Sequence, residues 1–385
     1  MFSKLKFLFR NIAKMATQNC ILPLAYTIAK QKHPGEKTLY VFADAHHTSL
    51  PFSLAAMYNH VVSLGITPVC HFYDYTHEGS IKSLRHAISF MDILAQAKYV
   101  FICDTFLPVS SGKKAGGTKV VQLCHFSGPF KKIGYATKDD IPGYYSNNVF
   151  QNYDLVSVSS EMYIPLLTDA MRQKDGVVKA LGVSRADVFY DEGWVSRCRE
   201  EFYKQFPHAR DKKILLWAPT FRGKAVSPNT LDNEAVLSLQ DKLGADWMVL
   251  IKHHPHDDAA AADPRHRSNC AIPTERILPV VDLFITDYST TVLDYLNFEK
   301  PFILYAPDLE EYERTRGFFV DYRGITKNMT TDPARLEGLI KEVYQAWLEG
   351  DREEILLCRE RFTSACDGNA TKRIIQYLQE SSFDK

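Results

Sequence analysis

Ile285-Thr286-Asp287-Tyr288-Ser289-Thr290-Thr291-Val292-Leu293-Asp294-Tyr295 runs from an apolar segment through a cluster of hydroxyls into a second apolar segment. Just upstream, Val280-Val281-Asp282-Leu283-Phe284-Ile285 has the pattern of a buried parallel strand. Downstream, Val292, Leu293, Leu296 and Phe298 suit the buried side of a short helix. Such a strand-to-helix turn attracts anions, because the first helical N–H groups have no partner and the dipole favours negative charge. Two readings stay open on this stretch alone. Ser289 or Thr290 caps the helix, or the turn holds a phosphate.

Outward from this stretch the chain alternates strands and helices. Ile214–Trp217, Met248–Ile251, Leu283–Thr286 and Phe302–Tyr305 read as strands. Helices are predicted near Asp232–Leu243 and from Asp332-Pro333, where Leu336, Leu339, Ile340, Val343 and Trp347 recur at helical spacing. An earlier series offers strands at Leu39–Ala43, Thr67–Phe72, Tyr99–Cys103, Lys119–Leu123 and Leu155–Val158. Its helices are predicted over Pro51–Leu64, Ser80–Gln96 and Met162–Gln173. This is the signature of an α/β protein with doubly wound parallel sheets. Two Rossmann-like domains are expected, at 33–206 and 207–385, divided in the polar Phe206–Lys213, with a ligand crevice beyond the strand ends. The last helix is expected to be able to pack back on the first domain.

The 385 residues suffice for two cores, and the balance of 46 basic and 46 acidic residues gives no case for nucleic acid as a partner. Eight cysteines are scattered with no CxxC pair, and several sit in apolar strand-like runs as reduced buried thiols do, which suits a cytoplasmic protein. No apolar run reaches the roughly 20 residues that span a bilayer. Residues 1–32 are distinctive, since Lys4, Lys6, Arg10, Lys14, Lys30 and Lys32 all precede the first acid, Glu36. On a helical wheel Phe2, Leu5, Leu8, Phe9, Ile12 and Met15 share one side and the early basic residues share the other. A basic amphipathic N-terminal helix follows, either on an anionic membrane surface or packed on the protein itself.

Three further strand ends carry unusual chemistry. Leu123 leads into Cys124-His125-Phe126-Ser127, Trp217 into Ala218-Pro219-Thr220-Phe221-Arg222, and Ile251 into Lys252-His253-His254-Pro255-His256. A histidine just past a buried strand suits general-base work near neutral pH. Arg222 and Lys252 suit phosphate oxygens, one as a fork and the other as a point charge. There is no Walker loop and no GxGxxG, which disfavours an ordinary ATPase or a nicotinamide enzyme. His253, His254 and His256 fit no usual zinc spacing, so neither metal nor cofactor is expected.

At these residues the chain resembles the CDP-glycerol glycerophosphotransferase family, the teichoic-acid and capsule polyol-phosphate transferases. Asp287–Thr291, Lys300-Pro301, Asp308-Leu309-Glu310-Glu311-Tyr312, Arg316-Gly317-Phe318, Asp321-Tyr322 and Asp367-Gly368-Asn369-Ala370-Thr371 follow the family's order. So do Trp217–Arg222, Lys252–Pro255 and Gly182-Val183-Ser184-Arg185-Ala186-Asp187, so that the resemblance runs from about Tyr99 to Ile374. One block departs from the pattern. The family's Trp-His-Gly-Thr reads Cys124-His125-Phe126-Ser127 here, keeping the histidine and losing its neighbours.

The resemblance implies a GT-B-like arrangement of two Rossmann-like domains facing each other across a cleft, with the nucleotide on the C-terminal domain. It implies glycerol-phosphate transfer from CDP-glycerol to a hydroxyl of a membrane-linked or capsule or teichoic-acid glycan, with release of CMP. His125 would be the base and His254 would offset charge on a phosphate oxygen. Thr220, Arg222, Lys252, Asp287, Ser289, Thr290, Thr291 and Arg316 would bind the donor. One or a few units, a primer-type step at the inner face of the cell membrane with residues 1–32 on that surface, fit the length and the basic start. Three readings compete: a CDP-ribitol-dependent transferase, a glycosyltransferase using a nucleotide sugar, and a non-catalytic scaffold.

Overall fold

The structure, a computed structural model, describes residues 12–75, 80–137, 140–141, 147–220, 222–224, 227–229, 234–252 and 271–380. The chain divides into two compact units. The first holds the residues up to Phe126, Ile133–Asp187 and the chain from Ala365 on; the second holds Ser127–Lys132 and Val188–Ser364. The division after Asp187 precedes the expected one in Phe206–Lys213, and helix Glu192–Gln205 lies in the second unit.

The first unit is built on β1 (Leu39–Asp44), β2 (Val69–Phe72), β3 (Ala97–Ile102), β4 (Lys119–Gln122), β5 (Leu155–Ser157) and β6 (Val178–Lys179). They form one parallel sheet in the order β2-β1-β3-β4-β5-β6. Val41, Phe42, Val100, Phe101, Val120 and Val121 are fully buried because helices cover both faces, which is why these strands read as unbroken apolar runs. Helix Phe52–Ser63 places Leu54, Met57 and Val61 in a core with Phe42, Phe101 and Leu155. Helix Ala370–Glu380 completes that core with Ile374, Ile375 and Leu378.

The second unit is built on β7 (Lys213–Trp217), β8 (Arg222–Lys224), β9 (Ser227–Asn229), β10 (Trp247–Ile251), β11 (Leu283–Thr286), β12 (Phe302–Tyr305) and β13 (Met329–Thr330). Five of them form a parallel sheet in the order β10-β7-β11-β12-β13, and β8 and β9 form an antiparallel ribbon. Helix Leu336–Leu348 lays Leu336, Leu339, Ile340 and Val343 on Leu215, Trp217, Ile285 and Ile303.

The expected long strands are all present. Sequence reading missed β6 and β13, whose two residues are too few to show a period, and the ribbon β8–β9. The helix expected over Asp232–Leu243 is two short pieces, Glu234–Leu237 and Leu239–Leu243.

The start of the basic N-terminal segment, residues 1–11, with Lys4, Lys6 and Arg10, lies outside the described residues. The described part of the segment is helical over residues 12–16, passes through a π-helical turn, Thr17–Ile21, and continues into helix Leu22–Lys32. Gln18, Leu22, Tyr26 and Ala29 form the buried stripe, and the helix packs on helix Ser80–Leu94. The opposite stripe is apolar too: Ile12, Met15, Ile21, Leu24 and Ile28 are exposed.

Candidate active site

Both sheets reverse their winding at one place. In the second unit β7 has β10 on one side and β11 on the other, so the turns after β7 and β11 flank the switch point, where α/β sheets bind ligands. Those are the turns that hold Ala218-Pro219-Thr220 and Asp287–Thr291. The Thr286 hydroxyl donates to the Ala218 carbonyl at 2.6 Å. Asp287, wholly buried, accepts the Thr220 N–H at 2.7 Å and the Tyr288 N–H at 2.6 Å on one carboxylate oxygen. The Tyr322 hydroxyl donates to the Asp287 carbonyl at 2.8 Å. Asp287 thus fastens the two turns to each other.

Behind this turn, Tyr288 stacks on Tyr312 at 3.9 Å between centroids, and Phe318 and Tyr322 continue the aromatic cluster. The Tyr288 hydroxyl reaches Asp308 at 2.9 Å. The blocks containing Asp308, Tyr312, Phe318 and Tyr322 therefore meet as one support under Asp287–Thr291.

Ser289, Thr290 and Thr291 are half-buried, with side chains at the surface of the turn. The Ser289 hydroxyl lies 3.0 Å from that of Thr291 and accepts the Thr291 N–H at 3.3 Å, whereas Thr290 makes no side-chain cap. Helix Thr291–Tyr295 is a little over one turn long. Its dipole is correspondingly small, so anion affinity at this turn would rest on hydroxyls and N–H groups.

Lys252 follows β10, half-buried, with its N–H on the Trp217 carbonyl at 2.8 Å. Arg222 opens β8, opposite Asn229. Arg316 ends helix Leu309–Thr315 and donates through Nε to the Lys132 carbonyl at 3.0 Å. His254 lies outside the described residues.

In the first unit β1 has β2 on one side and β3 on the other, so that switch point lies at the ends of β1 and β3. His125 is beside it, just past β4. The preceding Cys124 has φ 58°, a left-handed turn that lifts the chain off the sheet. Arg185, with its guanidinium over the Phe52 ring, donates to the His125 carbonyl and to Ser53 Oγ. His125 Nδ1 faces the Cys103 carbonyl at 3.3 Å and Asp104 Oδ2 at 3.5 Å. The next residues leave this unit, since Ser127 donates to Asp294, Phe130 packs on Phe362, and Lys131 bridges to Phe318.

Sequence reading missed the polar residues at the ends of β1 and β3, although the strand-end pattern that singled out His125 was present in Ala43-Asp44-Ala45-His46-His47 and Ile102-Cys103-Asp104. Asp44 Oδ1 accepts from His46 N–H, His47 N–H and His47 Nδ1 at 2.7, 2.8 and 2.8 Å. Burial pushes the Asp44 carboxyl up, but these hydrogen bonds outweigh it and hold it below its ordinary value. The same contact raises the His47 imidazole. No cluster of three or more His, Cys, Asp or Glu among the described residues could hold a metal ion.

Gly182–Asp187 and Asp367–Thr371 meet within the first unit. Gly182, at φ 90°, lies so close to Ala365 and Ala370 that a Cβ there would stand 2.6 Å from the Ala370 methyl. Ser184 Oγ lies 2.8 Å from Thr371 Oγ1, and Asp187 accepts the first N–H groups of helix Ala370–Glu380. One turn thus supplies both the arginine that anchors His125 and the aspartate that caps the last helix.

Two doubly wound α/β units, with polar clusters at their switch points, define a GT-B-like protein. The wall teichoic acid polymerase TagF has the same fold, with TM-score 0.68 at 17% identity, covering 99% of this chain and 98% of that one. The family described as CDP-Glycerol:Poly(glycerophosphate) glycerophosphotransferase matches residues 24–380, and the chain belongs to it. A teichoic acid ribitol-phosphate primase of Bacillus spizizenii is 26% identical over 93% of this chain and 95% of its own. A teichoic acid glycerol-phosphate primase of Bacillus subtilis is 24% identical over 77% of each. The ribitol-phosphate polymerase TarL of Staphylococcus aureus is 29% identical over 74% of this chain, which spans about half, 52%, of that protein's length.

Proposed function

We propose that this protein moves glycerol phosphate from CDP-glycerol to a hydroxyl of a membrane-linked teichoic-acid or capsule glycan and releases CMP. The observation that carries the proposal is the Asp287–Thr291 turn. It is fastened to Thr220 at the switch point of the second sheet and presents Ser289, Thr290 and Thr291 at the surface. Those hydroxyls and the nearby N–H groups suit a pyrophosphate, with Lys252, Arg222 and Arg316 adding positive charge.

The acceptor O–H bond breaks with its proton passing to His125. The oxygen forms a bond to the phosphorus bearing glycerol, and the bond to the CMP oxygen breaks, with CMP taking the electron pair. His254 offsets charge on a phosphate oxygen. Rate enhancement comes from positioning and electrostatics, as is general for phosphoryl transfer. One or a few units are added per acceptor, a reading supported by the similarity to a ribitol-phosphate primase over 93% of this chain.

A second reading, CDP-ribitol as donor, is favoured by the near-complete match to a ribitol-phosphate primase. The assay is CMP release with CDP-glycerol, CDP-ribitol and nucleotide sugars run in parallel, each with and without polyol-phosphate and lipid-linked acceptors. Acceptor-dependent release from CDP-glycerol is expected. Release from CDP-ribitol alone would change the donor, and turnover of a nucleotide sugar alone would overturn the reaction.

The proposed location of the protein is the cytoplasmic face of the membrane. It is supported by the exposed Ile21 and, on helix Leu22–Lys32, the exposed Leu24 and Ile28, while helix Ser80–Leu94, which packs on that helix, exposes Ile81 and Ile88. Lys14 and Lys32 are exposed on the same N-terminal segment. No helix among the described residues is long and apolar enough to cross a membrane. An apolar stripe with basic neighbours suits a helix lying in an anionic interface.

A further inference from the structure

The carbonyl oxygen of Cys103 can only accept a hydrogen bond, and it faces His125 Nδ1 at 3.3 Å. Asp104 Oδ2 faces the same nitrogen at 3.5 Å. A nitrogen lone pair aimed at two oxygens would be repelled, so Nδ1 carries the proton and Nε2 offers the lone pair. The arrangement is braced from below. Gln122, at the end of β4 and buried, donates through Nε2 to the Asp104 carbonyl at 3.2 Å and accepts the Cys124 N–H at 3.0 Å. One amide side chain thereby ties Cys124, the residue before the histidine, to the main chain of Asp104. Asp104 Oδ1 is occupied by the Thr105 N–H at 2.6 Å, which turns Oδ2 towards the histidine. His46 Nε2 approaches that oxygen too, at 3.7 Å.

We propose that Asp104 is the positioning residue of His125, fixing its Nδ1–H tautomer and balancing the imidazolium that forms when Nε2 takes the acceptor proton. The proposal rests on the transferase reading for its second half only. Asp104 acts through the ring. His46, sharing Oδ2, competes for the same carboxylate.

The experiment has two arms. In the first, the full chain carrying 15N-labelled histidine is observed by NMR, with His125→Gln used to assign its signals. His125 should show a protonated Nδ1 and a bare Nε2, and the Nδ1–H fraction should fall in Asp104→Asn. A protonated Nε2 in the unaltered protein overturns the proposal whatever the activity. In the second arm, Asp104→Asn should lower kcat on the order of 10- to 100-fold, a part of the roughly 100- to 10,000-fold that general-base catalysis supplies, with KM for CDP-glycerol unchanged. Asp104→Glu should restore part of kcat, which a merely structural role would not allow. Wild-type turnover in Asp104→Asn, or equal loss of CDP-glycerol binding, overturns the proposal. The expected NMR result with no CMP release from any donor would remove the transferase reading and still support the Asp104–His125 pairing.

Discussion

Asp187 Oδ2 accepts the backbone N–H of Thr371 at 2.7 Å across 184 residues of sequence, while its other oxygen takes the Ala370 N–H at 3.0 Å. A cap is usually supplied by the residue next to the helix. Here the chain folds back to provide it, so the cap also fixes where helix Ala370–Glu380 sits on the first sheet. Asp187→Ala should therefore cost about 1–2 kcal/mol, seen as a lower denaturant midpoint. Gly182→Ala should cost more, because the left-handed φ and the crowding by Ala365 and Ala370 act together. A Gly182→Ala protein as stable as wild type would show that this turn is looser than described.

The two polar clusters should separate in kinetics. Ser289→Ala removes a hydroxyl from the turn proposed to bind the donor and should weaken CDP-glycerol binding roughly 10- to 100-fold, the worth of one hydrogen bond to a charged group. His125→Ala should abolish turnover and leave donor binding nearly intact. Isothermal titration with CDP-glycerol beside a CMP-release assay reads both. Equal loss of binding and turnover in His125→Ala would remove that residue as the base.

His71 gives a pH dependence. It lies in β2, only 5% exposed, with its ring 3.8 Å from that of His86 and with no hydrogen-bond partner for Nε2 among the described residues. Burial first, and the neighbouring His86 second, push its imidazole down to about 3. In the folded protein it is neutral, whereas the unfolded chain takes up a proton below its ordinary pKa of about 6.5. Stability is therefore lost as pH falls from there towards about 3. His71→Phe keeps the aromatic packing and should be near neutral in effect at pH 7.5. At pH 5 it should gain about 2 kcal/mol relative to wild type. Urea unfolding at the two pH values tests this, and parallel curves would refute the assignment.

The exposed stripe on helix Leu22–Lys32 gives a membrane test. Leu24→Glu with Ile28→Glu should leave the melting temperature almost unchanged, because both side chains already face solvent. Binding to vesicles containing anionic lipid should fall more than about tenfold, since each apolar side chain withheld from the bilayer forgoes on the order of 1.5–3 kcal/mol. Undiminished flotation would assign membrane contact elsewhere.

The sequence by itself determined the long strands and the position of one hydroxyl-rich turn. Parallel strands buried on both faces must be apolar throughout, so Leu39–Asp44, Lys213–Trp217 and Leu283–Thr286 are legible as runs. The hydroxyl turn Ser289–Thr291 is legible because its residues are contiguous. What the tertiary structure decided is adjacency. Asp104 and His125 meet because β3 pairs with β4 in a register that sets Ile102 opposite Gln122, which brings the two strand ends side by side. Asp287 meets the Thr220 N–H because β7 and β11 are neighbours. Local pattern reports burial and backbone conformation. Which strand ends adjoin is fixed only by strand order and register, which depend on the packing of the whole sheet.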